Sequence, residues 1–143
     1  MTDIHWKWQT FDELTGLEQY EMHRLRQEVF MLEQGCNYLD ADGVDLIAHH
    51  ASCWEKHRLA AYARVYVKDG VPRIGRVLVH PDFRGCGRAR QLIQFCLDHI
   101  GAQSTQISAQ TYLQAFYESF GFRVTSEPYI AAGLDHIDML RSI

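Results

Sequence analysis

Arg73-Ile74-Gly75-Arg76-Val77-Leu78-Val79-His80, then Pro81-Asp82-Phe83-Arg84-Gly85-Cys86-Gly87, then Arg88-Ala89-Arg90-Gln91-Leu92-Ile93 changes its periodicity twice. The first eight residues are rich in branched aliphatic side chains and read as a strand. Pro81, Gly85 and Gly87 interrupt it. Beyond the interruption Ala89, Leu92, Ile93, Cys96, Leu97 and Ile100 recur at the spacing of one helical face, and Gly101 follows as a C-cap. Gln106 to Gln110 reads as a short strand. Strand, helix and strand from Arg73 to Gln110 require a parallel pair joined by a right-handed crossover.

The flanking sequence extends this unit. Upstream, His50 to Trp54 and Leu59 to Val67 read as strands. Ala61, Ala63, Val65 and Val67 share one face of the second, with Tyr62, Arg64 and Tyr66 on the other. Turns at Glu55 to Arg58 and Lys68 to Gly70 join them to the strand at Arg73 in an antiparallel trio. Before them, Thr10-x-x-Glu13 and Thr15-x-x-Glu18 form two capping boxes, and Met22, Leu25, Val29 and Phe30 predict a helix from Gly16 to Glu33. Gly35 to Asp45 reads as a loop or short helix. Downstream come a short helix, Leu113 to Phe120, ended by Gly121, and strands at Phe122 to Glu127 and His136 to Arg141. The fold class is α+β with a mixed sheet.

At 143 residues with 47% hydrophobic and 22% charged residues, the chain fits a single domain over residues 1–143 with its own core. No apolar run approaches the roughly 18 residues of a membrane span. The start, Met1-Thr2-Asp3-Ile4-His5-Trp6-Lys7, lacks the pattern of a signal peptide, so a cytoplasmic location is expected. Cys36, Cys53, Cys86 and Cys96 form no C-x-x-C pair, and only His49 and His50 of the eight histidines are neighbours, so neither disulfides nor a metal site is expected. Asp40 to Asp45 resembles a calcium loop only superficially, with Gly43 fourth and Ala51 twelfth. A net charge of −4 argues against nucleic-acid binding. That average hides a split: residues 1–45 hold ten Asp/Glu and three Lys/Arg, whereas residues 73–90 hold five Arg and one Asp. Two ligand surfaces of opposite preference are expected, one for an anion and one for a cation.

A strand, a glycine loop and a helix start together bind phosphate, because free backbone N–H groups and the positive end of the helix dipole converge there. Arg84, Arg88 and Arg90 add charge. G-x-x-x-x-G-K-[ST] is absent, and Gly85-Cys86-Gly87 has Arg90 where a dinucleotide fingerprint needs its third glycine, so ATP and NAD are disfavoured.

Arg84-Gly85-Cys86-Gly87-Arg88-Ala89 does match the (Q/R)-x-x-G-x-(G/A) loop of the GCN5-related N-acetyltransferases. Ile74 to Pro81 resembles that family's fourth strand, and Phe116-Tyr117-Glu118-Ser119-Phe120-Gly121-Phe122 its FY-x-x-x-GF helix. Leu25 to Phe30, Glu33-Gln34, Cys36, Tyr38, Asp40, Asp42-Gly43, Tyr62-Ala63-Arg64, Ala109-Gln110 and His136 to Met139 resemble its ElaA-like branch, over residues 20–141.

The resemblance implies a mixed, mostly antiparallel sheet whose parallel pair splays at a coenzyme site. It implies an enzyme moving an acetyl group from acetyl-CoA to the amine of a small molecule or peptide by direct transfer. The alternative is a non-catalytic acyl-CoA-binding sensor; a homodimer is left open. Backbone groups of Leu78 and Val79 would meet the pantetheine arm, with the Val79 N–H polarising the thioester carbonyl. Amides from Gly85 through Cys86, Gly87, Arg88 and Ala89 to Arg90 would take the pyrophosphate. Gln110, on the coenzyme side, stands where many relatives outside this branch have Asn. Tyr117 would protonate the departing thiolate. Glu33, His80 or a water relay would act as base. Arg64 and Arg76 would face the cleft or pair with loop acids, a choice that strand parity alone does not decide. A cationic acceptor is expected to enter past Glu33, Asp40, Asp42 and Asp45. Cys86 is either a reactive thiol or a tolerated small residue, and a hydrolase built on Cys86 or Cys36 lacks ordered partners in sequence.

Overall fold

The computed structural model of the chain describes residues 3–143. The chain runs β1 (Ile4–Thr10), α1 (Gly16–Arg26), β2 (His49–Glu55), β3 (Arg58–Lys68), β4 (Val71–Val79), α2 (Arg88–Ile100), β5 (Thr105–Gln110), α3 (Gln114–Glu118), β6 (Phe122–Val124), β7 (Tyr129–Ala131) and β8 (Leu134–Arg141). The strands form one sheet in the order β1-β2-β3-β4-β5-β8-β6, with β7 paired to β8. Only β4 and β5 run parallel, on either side of the α2 crossover. No helix among the described residues is long and apolar enough to cross a membrane.

The helices pack on opposite faces. Leu92, Ile93, Cys96 and Leu97 of α2 bury themselves against Ala51, Cys53, Ala61, Ala63 and Ile107. Met22 and Leu25 of α1, with Val29 and Phe30 beyond it, pack on Trp54, Leu59, Tyr62 and Leu78. Complete burial of a side chain such as Leu92 is worth about 1.5–3 kcal/mol, so each face is held by several such terms. Both capping boxes form: Thr15 Oγ1 accepts from the Glu18 N–H at 3.1 Å while Glu18 Oε1 accepts from the Thr15 N–H at 2.9 Å.

Three features differ from the sequence expectations. β1 adds an edge strand, in which Ile4, Trp6 and Trp8 alternate with His5, Lys7 and Gln9. The expected helix to Glu33 is α-helical only to Arg26 and continues as a π-helix over Gln27–Glu33. This wider turn buries Val29 and Phe30 while Glu33 and Gln34 reach a cleft. The strand expected to reach Glu127 stops at Val124, and Tyr129–Ala131 forms a hairpin with β8 through Ala132 and Gly133, both at positive φ.

β4 carries the bend that shapes the site. Arg64 faces Gly75 but Tyr62 faces Leu78, so β4 holds one extra residue opposite Ala63, a β-bulge. Arg76 lies in it at φ 50°, a left-handed conformation that costs a side chain about 1–2 kcal/mol. β4 and β5 pair only at Arg73–Gln106 and Ile74–Ile107; beyond Gly75 they part.

Candidate active site

Between the parted strands lies a cleft of about 740 Å³, bordered by Val77, Leu78 and Val79 of β4, the loop at Arg84 to Gly87, the start of α2, Gln110 and Tyr117. The His80 N–H donates to the Ala60 carbonyl at 2.8 Å. Bonded pairs alternate along an antiparallel ladder, so Leu78 and Tyr62 form the next bonded pair and the peptide groups of Val79 turn to the open edge. From that side Arg84 Nε donates to the Val79 carbonyl at 3.0 Å. This corrects the expectation for Leu78, whose backbone is engaged by β3 and whose side chain is buried toward α1. Val79 keeps its N–H free at the cleft.

The loop owes its shape to Gly85 (φ 81°) and Gly87 (φ 84°). A Cβ at either position would meet nothing within 4 Å, so the backbone conformation, not lack of space, favours glycine. Gly87 caps α2 without a side chain, leaving the N–H groups of Arg88, Ala89 and Arg90 without intrahelical partners at the cleft. The arginines contribute less net charge than their number implies. Arg84 grips Glu33 through both Nη atoms, at 2.7 Å each, and Arg88 Nη2 lies 3.0 Å from Glu55. Arg90 alone of the three has no carboxylate partner among the described residues; its Nη2 donates to Ser119 Oγ at 3.1 Å and its guanidinium lies over Phe120. Cys86 Sγ donates to the Phe83 carbonyl at 3.0 Å and does not border the cleft, while its backbone belongs to the loop.

A second cavity, of about 340 Å³, lies on the other side of the parted strands, bordered by Cys36, Tyr38, Arg64, Tyr66, Arg76, Tyr129 and His136 among others. The two share Gln34, Val77, Gln110, Leu113, Tyr117 and Leu134, which mark their junction. There Gln110 Nε2 donates to Gln34 Oε1 at 3.2 Å. Tyr117 is 3% exposed and wedged edge-on between Phe116 and Phe122. Burial pushes its hydroxyl above the ordinary tyrosine range, which keeps the proton on oxygen. A neutral phenol thus lies at the meeting point of the two cavities.

The acidic residues behave differently from the expectation. Asp40 Oδ1 accepts from Arg26 Nε at 3.2 Å and Arg76 Nε at 3.1 Å. Asp42 accepts from Arg64 Nη2 at 2.6 Å, and Asp45 Oδ1 from Arg26 and Arg64 at 2.9 Å each. Burial alone would raise the Asp42 carboxyl, but the hydrogen bonds from Arg64 prevail and hold it at about 2. The Arg84 hydrogen bonds likewise hold Glu33 below the carboxylate range. These acids therefore do not form an open negative entrance, and among the described residues no Asp or Glu borders the second cavity. The two sets of opposite charge pair with each other. The network ties residues 40–45 to the bulge at Arg76, whose guanidinium also lies 4.5 Å from the Tyr38 ring centroid. His80 Nδ1 accepts from the Asp82 N–H at 3.0 Å, and the residue borders neither cavity.

Sequence reasoning missed Gln34, Val77, Leu134 and His136 as site residues. Val77 was accessible from strand parity with Val79. Gln34 was not, because the π-helix that turns it toward β5 has no sequence signature. Among the described residues no cluster of three His, Cys, Asp or Glu could hold a metal ion.

The sequence profile of the acetyltransferase (GNAT) domain matches residues 38–143. A UPF0039 protein of Synechocystis is 40% identical, covering 96% of this chain and 95% of its own. The solved structure of an acyl-CoA N-acyltransferase from Pseudomonas aeruginosa superposes with a TM-score of 0.92 at 34% identity, over 96% of this chain and 99% of that one. The Escherichia coli ElaA structure gives 0.88 at 36% identity, over 97% and 99%. Bulge, splayed parallel pair, glycine loop and buried tyrosine thus occur in a chain that belongs to the GCN5-related N-acetyltransferase (GNAT) family, in its ElaA-like branch.

Proposed function

We propose that this protein transfers the acetyl group of acetyl-CoA directly to an amine. The observation that carries the reading is the meeting of two cavities at Tyr117. The larger has the free Val79 N–H for a pantetheine arm and the unpartnered N–H groups at the start of α2, with Arg90 beside them, for a pyrophosphate. The smaller offers the acceptor amine a separate approach to the same carbon. Transfer needs the thioester carbonyl polarised, the amine nitrogen aligned and the sulfur protonated as it leaves. The Val79 N–H supplies the first, the junction walls the second and the Tyr117 hydroxyl the third.

The second cavity sets the acceptor's class more narrowly than charge counts do. It contains aromatic rings and the paired arginines Arg64 and Arg76 but no carboxylate, so the acceptor is an amine on a compact, non-cationic body. This replaces the cationic acceptor steered by Glu33, Asp40, Asp42 and Asp45. A screen of free amines and peptides for coenzyme A release tests the reading. Turnover of compact monoamines is expected, and a panel in which only polyamines and basic peptides react would contradict the acceptor class.

A further inference from the structure

The geometry points to His136 as the general base that takes the proton of the acceptor nitrogen. This rests on the acyltransferase reading and adds the group it leaves open. His136 is half-buried on β8 and borders the second cavity. It is the direct antiparallel partner of Gln110, a junction residue, and opposed residues project to the same face of a sheet. Its Nδ1 lies 2.8 Å from the Leu134 carbonyl. A carbonyl can only accept, so in the neutral ring Nδ1 carries the proton and Nε2 holds the lone pair. Nε2 has no hydrogen-bond partner among the described residues, and it is not among the polar atoms sealed from solvent. Tyr129 stacks on the ring, with centroids 6.0 Å apart, and fixes its plane.

Several other titratable groups of that cavity are unsuited to the task. Burial pushes Cys36, Tyr38 and Tyr129 upward, so each keeps its proton at neutral pH. Arg64 is paired with Asp42 and Asp45, and Arg76 with Asp40 and Asp42. Asp138, two residues along β8, is engaged by Tyr129 and Ser108. Glu33 and His80 are engaged as described above. An imidazole with its Nδ1 proton anchored and its Nε2 free is the arrangement a base requires.

The step balances as follows. His136 Nε2 takes one proton from the acceptor ammonium, the lone pair this frees forms the N–C bond to the thioester carbon, and the nitrogen then sheds its second proton to solvent. The C–S bond breaks with its electron pair on sulfur, and Tyr117 gives the sulfur a proton. The imidazolium then releases its proton and the phenolate recovers one, through solvent.

The test uses the full chain, acetyl-CoA and propylamine, with coenzyme A release as readout. His136→Gln removes the base. His136→Asn also removes it but keeps an N–H donor for the Leu134 carbonyl. At pH 7 both variants should lose about 10²-fold in kcat/KM for propylamine. The loss should shrink to less than about tenfold at pH 9.5, where free-base amine is far more abundant. Coenzyme affinity by calorimetry should stay within about twofold, as His136 does not border the coenzyme cleft. A loss equal at both pH values, rescue by Asn, loss of coenzyme binding, or no loss at all would overturn the assignment. A wild type that binds acetyl-CoA but turns over no amine would instead overturn the acyltransferase reading, and the base with it.

Discussion

Arg84 holds the Glu33 carboxylate through both Nη atoms at 2.7 Å and the Val79 carbonyl through Nε at 3.0 Å. One side chain thus ties the end of the first helix to the glycine loop and to the last residue of β4. Glu33 is thereby the partner of a loop arginine and not a free base.

Glu33→Gln should therefore act on the coenzyme and not on the proton transfer. Releasing Arg84 from a carboxylate leaves its charge available to a pyrophosphate, so coenzyme affinity should rise severalfold at low salt and less at high salt, where screening is stronger. Calorimetry at two salt concentrations measures this. A drop of 10²-fold or more in kcat at saturating coenzyme would return Glu33 to the role of base.

Gly87→Glu should abolish coenzyme binding. The residue sits at φ 84° at the start of α2, so the substitution strains the loop and sets a negative charge where the pyrophosphate would lie. Unchanged affinity by calorimetry would remove the loop from the coenzyme site.

Tyr117→Phe keeps the packing against Phe116 and Phe122 and deletes only the buried hydroxyl. A fall in kcat of about 10²–10⁴-fold with coenzyme affinity nearly constant is expected, the usual range for a lost general acid. A full-rate variant would show that the hydroxyl gives no proton in the limiting step.

The network of Arg26, Arg64, Asp42 and Asp45 should make stability fall in acid. Asp42 is held at about 2 and Asp45 below its ordinary range, so both bind protons more weakly folded than unfolded. Their contribution is full above the unfolded carboxylate range near pH 4 and lost as pH falls toward 2. Urea midpoints across that interval should drop steeply. Arg64→Met, which strands the partly buried acids, should cost about 3–5 kcal/mol at neutral pH and flatten the acid slope. An unchanged slope would place the acid sensitivity elsewhere.

Much of this architecture was legible in the sequence, for identifiable reasons. The α2 face from Ala89 to Ile100 and the glycines at 85, 87 and 101 are strong local signals, and the parallel pair follows from chain order alone. The loop and Tyr117 came with the family motif. Pairing of charges across the chain was not legible: Glu33 and Arg84 are 51 residues apart, and Asp40 and Arg76 are 36 apart. Counting charges by segment therefore produced an acidic entrance that folding neutralises. The β4 bulge was hidden because Arg76 occupies a left-handed position that glycine would have advertised. His136 was read only as part of a motif, since its role depends on facing Gln110 across two strands.

Direct acetyl transfer is tested most closely by intact-mass measurement of the protein, together with coenzyme A release, after incubation with acetyl-CoA with and without a panel of compact amines. Direct transfer predicts that the protein mass stays unchanged in both arms, that coenzyme A is released rapidly only when amine is present, and that the amine gains one acetyl group. Acetyl-CoA bound without release in the presence of every amine, or a protein that itself becomes acetylated on a cysteine before transfer, would contradict it.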